Sequence, residues 1–450
     1  MKLDLPRETA LKILYDINKS GAYSNIALNK YLEDKELSGL DRAFITELVY
    51  GVLKWRLSID YIIDKFSSVK IKKLSPWILN ILRLGVYQLV YMSKIPESAA
   101  CNESVNLSKR YGHSASSRFV NAVLRNVARS KDNIDYPDKN KDLTAYLSIK
   151  YSHPDWMVKN WLSRYGESFT EELLRINNEP APLTVRVNIL KTTRDELREL
   201  LKKDGYETEP AKYIENALTI INPSSISKME AFVKGLFQVQ DESSMLVGRV
   251  LDPRPGEVIV DVCSAPGGKT THIAELMENR GQVIARDIHE HKIKLINEAA
   301  IRLGIDIIKA EIFDASEMDL ELAEKADRVL VDAPCTGLGI IRRKPDIKWT
   351  RNSNDLKDIV KIQEKILNTS SKYVKPGGVL VYSTCTIEPQ ENEELVKRFL
   401  ESNKEFALED ISGQLPEGLA KDTAKDGYIQ LYTNIDGIDG FFISKMRKRS

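Results

Sequence analysis

At 450 residues the chain is too long for a single hydrophobic core, and two or three domains are expected. Its 42% apolar and 29% charged residues are those of an ordinary soluble globular protein, which excludes disordered and fibrous classes. The net charge of +1 hides an uneven spread: residues 51–130 hold 13 Lys/Arg against 4 Asp/Glu, leaving the remainder net acidic. A basic amino-terminal third suits a polyanion-binding module, although charge alone equally suits a soluble helical domain.

The one long apolar stretch, Trp77 to Met92, is interrupted by Asn80, Arg83 and Gln88 and reads as a buried helix rather than a membrane span. The peptide Met1-Lys2-Leu3-Asp4 begins no signal-peptide apolar region, so a cytoplasmic protein without membrane association is expected. Four cysteines, Cys101, Cys263, Cys335 and Cys385, form no C-x-x-C pair, which argues against a disulfide framework and structural zinc. The five histidines show no metal-ligand spacing; His289 and His291 are expected to point in different directions, and His272 to be structural. No metal is expected.

In chain order, residues 1–135 read as a helical bundle. Phe44, Leu48 and Val52 with Ile45, Val49 and Leu53 form a double stripe at i, i+4, i+8, and Ser38-x-x-Asp41 ahead of it resembles a capping box. A second helix follows Pro76, and a third carries Phe119, Ala122, Val123 and Val127. Polar residues 131–142 suit a linker. Residues 143–234 are expected to hold linker helices, one opening at His153-Pro154-Asp155-Trp156, and a small α+β module. In that module Leu183, Val185, Val187 and Ile189 alternate with Thr184, Arg186 and Asn188 as a half-buried strand. A helix from Thr193 to Lys203 and a strand near Leu218–Ile221 follow.

From residue 235 to 450 strands alternate with helices: Val258–Val262, Val283–Asp287, Ile307–Phe313, Val329–Asp332 and Val379–Tyr382. That rhythm predicts a doubly wound, Rossmann-like α/β domain with a parallel sheet. The first of these strands opens into Cys263-Ser264-Ala265-Pro266-Gly267-Gly268-Lys269-Thr270. Two glycines let backbone approach a ligand, and the following helix offers unpaired N–H groups. The spacing fits neither a Walker A loop nor G-x-G-x-x-G. Asp287 ends the next strand, where a carboxylate can accept both ribose hydroxyls, and Asp314 follows the third, where one can accept an adenine amino group. A ribose-reading acid without a pyrophosphate loop fits S-adenosylmethionine.

Two further peptides, Asp332-Ala333-Pro334-Cys335 and Ser383-Thr384-Cys385-Thr386, each follow an apolar strand and carry a cysteine just past its end. That edge is where α/β sheets collect ligands. Two thiols there can serve as nucleophile and proton acceptor, against the plainer reading of two core cysteines. Arg342-Arg343-Lys344 with Lys348 and Trp349 suits phosphate and base contacts on single-stranded RNA, or else a solvated loop face. Cys101 and Cys263 read as packing residues.

These segments, with Arg342-Arg343-Lys344-Pro345-Asp346 and Gln238-Val239-Gln240-Asp241-Glu242-Ser243-Ser244, closely resemble the RNA cytosine-C5 methyltransferases of the NOL1/NOP2/Sun family from about residue 180 onward. The amino-terminal segments Asp41-Arg42-Ala43-Phe44 and Leu48-Val49-Tyr50-Gly51-Val52 resemble a NusB-type RNA-binding domain. Ser264 replaces the alanine usual after the loop cysteine, and Arg286 stands where relatives more often carry a small or apolar residue. The resemblance implies methyl transfer from S-adenosylmethionine to C5 of a cytosine in 16S rRNA, free or in an early small subunit, by a monomer. It implies cofactor contacts from residues 263–269 with Asp287, Asp314 and Asp332. Cys385 would attack C6, Cys335 would assist release, Asp332 would bond N3 or the exocyclic amine, and Lys269 would tune the thiol or orient substrate. The same chemistry on tRNA or 23S rRNA, or a non-catalytic NusB-like RNA-binding factor, are the alternatives.

Overall fold

The structure, a computed structural model, describes residues 4–20, 24–33, 37–221, 226–419 and 421–450; Met1-Lys2-Leu3 lies outside the described residues. The chain divides into two compact units, Met1–Glu179 with Ile341–Arg351, and Pro180–Ile340 with Asn352–Ser450.

The first unit is helical. Its helix Gly39–Lys54 starts in a capping box in which Ser38 and Asp41 satisfy each other's backbone N–H, and it buries Ile45, Leu48, Val49, Val52 and Leu53. Pro76 takes the first position of the helix Pro76–Tyr91. The three polar residues that interrupt this apolar run are interhelical latches. Arg83 donates twice to Asp60 at 2.7 Å, Gln88 accepts from Arg7 at 2.7 Å, and Asn80 accepts from Asn18 at 2.8 Å. Helices Leu143–Tyr151 and Asp155–Ile176 belong to this unit too, with Pro154 as the cap of the second. Buried His153 donates from Nδ1 to Tyr151 O at 2.7 Å, and burial first, then Lys348, pushes its pKa down.

The expected RNA-contacting run is largely internal to this unit. Lys348 is 1% exposed; its ammonium donates to Lys54 O at 2.7 Å and Asn178 Oδ1 at 3.0 Å. The Trp349 indole donates to Leu53 O at 2.6 Å beneath the Arg56 guanidinium. Arg342 and Asp346 are buried, and Lys344 alone of the basic residues is exposed. Carbonyl partners remote in sequence satisfy the polar heads of Lys348 and Trp349, so these two pack instead of facing solvent.

The second unit holds two sheets. The smaller contains β1 (Leu183–Val187), β2 (Glu207–Pro210), β3 (Ala217–Ile221) and β4 (Phe237–Val239), antiparallel in the order β2-β3-β1-β4. The expected helix is present as Arg194–Lys203, with Thr193 as its cap rather than its first residue. The half-buried reading of β1 does not hold: Thr184, Arg186 and Asn188 are as buried as their apolar neighbours. The Arg186 guanidinium meets Glu275 at 2.8 and 2.9 Å and donates to Thr271 Oγ1 at 3.1 Å and Gly268 O at 2.8 Å. Paired this way, a charge tolerates complete burial. The strand ends at Val187, and Ile189 is exposed.

The larger sheet contains β5 (Val258–Asp261), β6 (Gln282–Asp287), β7 (Ile308–Ile312), β8 (Ala326–Asp332), β9 (Val374–Thr384), β10 (Phe406–Leu408), β11 (Tyr428–Leu431) and β12 (Phe441–Lys448). Its order is β10-β12-β9-β8-β5-β6-β7, with β11 also on β12. The five strands from β9 to β7 are parallel, as expected; β10, β11 and β12 add an antiparallel edge that the sequence reading did not include. Alternate side chains enter two cores: Ile259, Leu330 and Val381 in one, Val260, Val329 and Leu380 in the other. Burial on both faces accounts for the unbroken apolar runs. The order reverses between β5 and β8, the switch point at which such sheets hold ligands.

Arg186→Ala should destabilise the protein by about 3–5 kcal/mol, because it leaves the Glu275 carboxylate buried and unpaired. In urea unfolding, Arg186→Leu combined with Glu275→Leu should cost less than the two single changes added together.

Candidate active site

The segment after β5 turns sharply at Gly267, whose φ of 99° favours glycine; a Cβ there would lie 3.3 Å from Ile296 Cα. At Gly268, where the helix Gly268–Leu276 begins, a Cβ would meet nothing nearer than Gln240 at 4.0 Å. The backbone at this helix start therefore faces open space, as a ligand cradle requires. Ser264 holds the loop against β6, donating to Arg286 O through N–H (2.8 Å) and hydroxyl (2.9 Å). The hydroxyl that replaces the usual alanine thus ties loop to strand.

Asp287 is the last residue of β6; one oxygen accepts from His289 N at 3.0 Å and the other lies 3.5 Å from Lys292. Arg286 points to the other face, as strand alternation demands, and pairs with Glu311 and Asp319 beside the Phe313 ring. Its cation does not crowd Asp287. Exposed Asp314 accepts from Ser316 N at 2.8 Å, and the donors of Ser316 hold its carboxyl below the usual range. His289 caps the helix Glu290–Leu303 and does not lie within it, so its ring stacks on His291 at 5.5 Å; the expectation of divergent rings fails there. His272 is buried against Gly248.

The parallel register pairs Asp332 with Ser383, and Ala333 N–H donates to Ser383 O at 2.9 Å. This brings the two sulfurs, Cys335 Sγ and Cys385 Sγ, to 3.2 Å. Hydrogen bonding to Cys385, then burial, pushes the Cys335 thiol well up. Asp332 Oδ2 accepts from Lys269 Nζ at 2.8 Å and Oδ1 from Ser383 Oγ at 2.9 Å. Lys269 is therefore not a solvent-facing lysine; its ammonium lies 5.0 Å from the Phe441 ring centroid. Burial pushes its pKa down, but the charges of Asp332 and Cys385 outweigh this, and the net shift is upward. A cation that stays charged beside Cys385 favours thiolate on that sulfur. Cys263 is half-buried in the same loop, and burial pushes its thiol well up.

Sequence reasoning missed the support of the two thiols. Thr336 and Thr386, the residues after each cysteine, touch hydroxyl to hydroxyl at 2.8 Å. Fully buried Glu391 accepts from Thr336 N and from Gln363 Nε2, both at 2.9 Å. Thr384 donates to Asn392 Oδ1 at 2.6 Å, and Asn392 Nδ2 donates to Thr386 O at 3.1 Å. The only signal in the sequence is that Glu391-Asn392 follows Pro389 soon after the Ser383–Thr386 peptide.

Among the described residues no group of three His, Cys, Asp or Glu could hold a metal, and no helix is long and apolar enough to cross a membrane.

Fold and site together define an S-adenosylmethionine-dependent rRNA methyltransferase carrying a NusB-like helical domain. Residues 248–447 match the family model described as 16S rRNA methyltransferase RsmB/F, residues 4–129 the NusB family, and residues 153–227 an RsmF/B-like ferredoxin-like domain. A relative from Bacillus subtilis (strain 168), named probable ribosomal RNA small subunit methyltransferase B, is 42% identical over the whole of both chains. The Vibrio cholerae ribosomal RNA small subunit methyltransferase B is 33% identical over 98% of this chain and 97% of its own. The crystal structure of PH0851 covers all of both chains with a TM-score of 0.82 and 28% identity. That of NSun6 from Pyrococcus horikoshii with SFG covers 66% of this chain and 98% of its own, with a TM-score of 0.59 and 26% identity. The chain belongs to the RsmB/F family of 16S rRNA methyltransferases. Membership of a methyltransferase family sets aside the non-catalytic alternative.

Burial, followed by the charge of Asp332, pushes the Asp261 carboxyl up to about 7 against the donation of Thr270. The folded form thus holds a proton that the unfolded chain has released, so this residue makes stability fall as pH rises from about 4 to 7. Asp261→Asn should flatten that part of the stability–pH curve, measured by urea unfolding at successive pH values, and leave the curve above pH 8 parallel to wild type.

Proposed function

We propose that this protein methylates C5 of a cytosine in 16S rRNA, free or in an early small-subunit particle, through a covalent bond between Cys385 and C6. The observation that carries this reading is the 3.2 Å approach of Cys385 Sγ to a second thiol just past the carboxyl ends of the neighbouring strands β8 and β9. A core packing role for these cysteines would not call for a charged lysine and a carboxylate beside them.

Pyrimidine C5 is a poor nucleophile, and addition of a thiolate at C6 renders it electron-rich. Cys385, favoured as thiolate by the Lys269 ammonium and by the proton that Cys335 shares with it, makes that addition. Asp332, held by Lys269 and Ser383, bonds N3 or the exocyclic amine of the base and steadies charge developing on the ring. S-adenosylmethionine, when bound, supplies the methyl group to C5. Cys335, once it has released its own proton to solvent, takes the C5 proton as thiolate, and the Cys385–C6 bond then breaks by elimination and returns Cys385 as thiolate.

The cradle suits the cofactor: open backbone at Gly268, the loop from Cys263 to Lys269, and the Asp287 carboxylate at the end of the neighbouring strand for the ribose hydroxyls. Asp314 stands after β7 on the adenine side. The Pyrococcus horikoshii relative with SFG, an S-adenosylmethionine analogue, supports this assignment. The target base must leave its stack to reach the thiols. The basic helical domain and the small antiparallel module serve as the RNA-positioning parts, by phosphate and shape contacts.

Cys385→Ala should abolish methylation, whereas Cys335→Ala should accumulate a protein–RNA adduct that survives a denaturing gel. Nucleoside mass spectrometry should find the methyl group on cytosine C5; label on a ribose oxygen or an exocyclic nitrogen overturns the proposal. Asp287→Ala should weaken S-adenosylmethionine binding roughly 10- to 100-fold by titration calorimetry. Asp332→Asn should lower kcat roughly 100- to 1,000-fold.

A further inference from the structure

The two thiol-bearing loops leave adjacent strands without regular secondary structure of their own, one between β8 and the helix Ile347–Thr350 and the other between β9 and the turn Pro389–Glu391. Their shapes are held by side chains, and most of those bonds converge on one dipeptide. Glu391 is fully buried at the end of the short turn Pro389–Glu391. One of its carboxylate oxygens accepts from Thr336 N–H at 2.9 Å, and the other accepts from the Thr336 hydroxyl. The Thr386 hydroxyl also bonds this carboxylate. Gln363 donates both to Glu391 and to Pro334 O, each at 2.9 Å.

Cys335 is thus bracketed. The residue before it is held through Gln363, and the residue after it directly by Glu391. Asn392 does the same for Cys385 by bonding Thr384 and Thr386. The Tyr382 hydroxyl donates to Glu391 O at 2.7 Å and fixes the turn itself to β9. Five donors on one buried carboxylate and its carbonyl exceed what stability of a surface turn requires. A buried hydrogen-bonded network of this kind favours one geometry over an ensemble.

We infer that Glu391 is a positioning residue that sets the separation of the two cysteine sulfurs and thereby couples addition at C6 to release of the methylated base. It touches no reacting atom and acts through Thr336, Thr386 and Gln363. This inference rests on the division of labour between Cys385 and Cys335 proposed above. Replacing the carboxylate by an amide turns one acceptor oxygen into a donor facing donors, so the Thr336–Cys335 loop must shift while the β8–β9 pairing that carries Cys385 remains. Addition survives such a change better than release does.

The test compares wild type, Cys335→Ala, Glu391→Gln, Thr336→Ala and Thr336→Ser, all as full-length protein with 16S rRNA transcript and S-adenosylmethionine. Glu391→Gln should lower kcat roughly 100-fold, the loss expected of an ångström-scale misplacement. It should leave the KM for S-adenosylmethionine within threefold of wild type, and it should accumulate the denaturation-resistant RNA adduct seen with Cys335→Ala. Thr336→Ala should show a weaker form of the same pattern, and Thr336→Ser, which keeps the hydroxyl, should recover wild-type kcat within threefold. Adduct with Cys335→Ala but none with Glu391→Gln overturns the positioning role and leaves the parent reading standing. So does a Glu391→Gln enzyme of wild-type kcat, or a parallel loss of kcat and cofactor affinity in that variant. Absence of adduct with Cys335→Ala itself overturns the parent reading, and the inference with it. If Glu391→Gln fails to fold, the threonine pair decides: equal kcat in Thr336→Ala and wild type overturns the role.

Discussion

Parallel strands held in register deliver their last residues to the same end of a sheet, one beside the other. In this protein β8 and β9 pair with Asp332 opposite Ser383, and all else at the site follows from that register. Three residues beyond Asp332 and two beyond Ser383, the chain reaches a sulfur, and the sulfurs meet at 3.2 Å. The same register brings the Ser383 hydroxyl to Asp332, leaving the other carboxylate oxygen for Lys269 from the loop after β5. A slip of one residue would turn every side chain of the strand to the opposite face, taking Ser383 from Asp332 and Cys385 from Cys335.

Electrostatics then separates two chemically identical groups. Both thiols lie in half-buried surroundings, yet bonding to Cys385 and burial push the Cys335 thiol up, and a charged lysine stands on the side of Cys385. Such asymmetry sets two like groups apart in their protonation. Its physical source here is a cation at the start of a helix, held over an aromatic ring and paired with a carboxylate.

What the sequence made legible was local. Capping at Ser38, the helix that follows Pro76, and the strand-then-loop rhythm that sets Asp287, Asp332 and both cysteines at strand ends are all features of adjacent residues. The misreadings share the opposite cause. Arg186 looked like the wet side of an alternating strand because its partner, Glu275, lies 89 positions away. Lys348 and Trp349 looked like RNA contacts because the carbonyls of Lys54 and Leu53 that receive them lie 294 and 296 positions away. Glu391 and Asn392, in a run of acids and amides, drew no reading at all, and only the convergence of two distant loops shows them to be internal. The antiparallel strands β10 and β11 are too short to show a period.

The helical unit is not one continuous piece of chain. Residues Ile341–Arg351 belong to it although they are encoded inside the other unit, and they contribute the buried Lys348 and the Trp349 indole bond. During synthesis the first 179 residues leave the ribosome with two acceptor carbonyls, Leu53 O and Lys54 O, still lacking these donors. The amino-terminal bundle therefore reaches its final hydrogen-bonded form only after about three-quarters of the 450-residue polypeptide has been translated. Its maturation is tied to that of the catalytic half by the order of the gene alone.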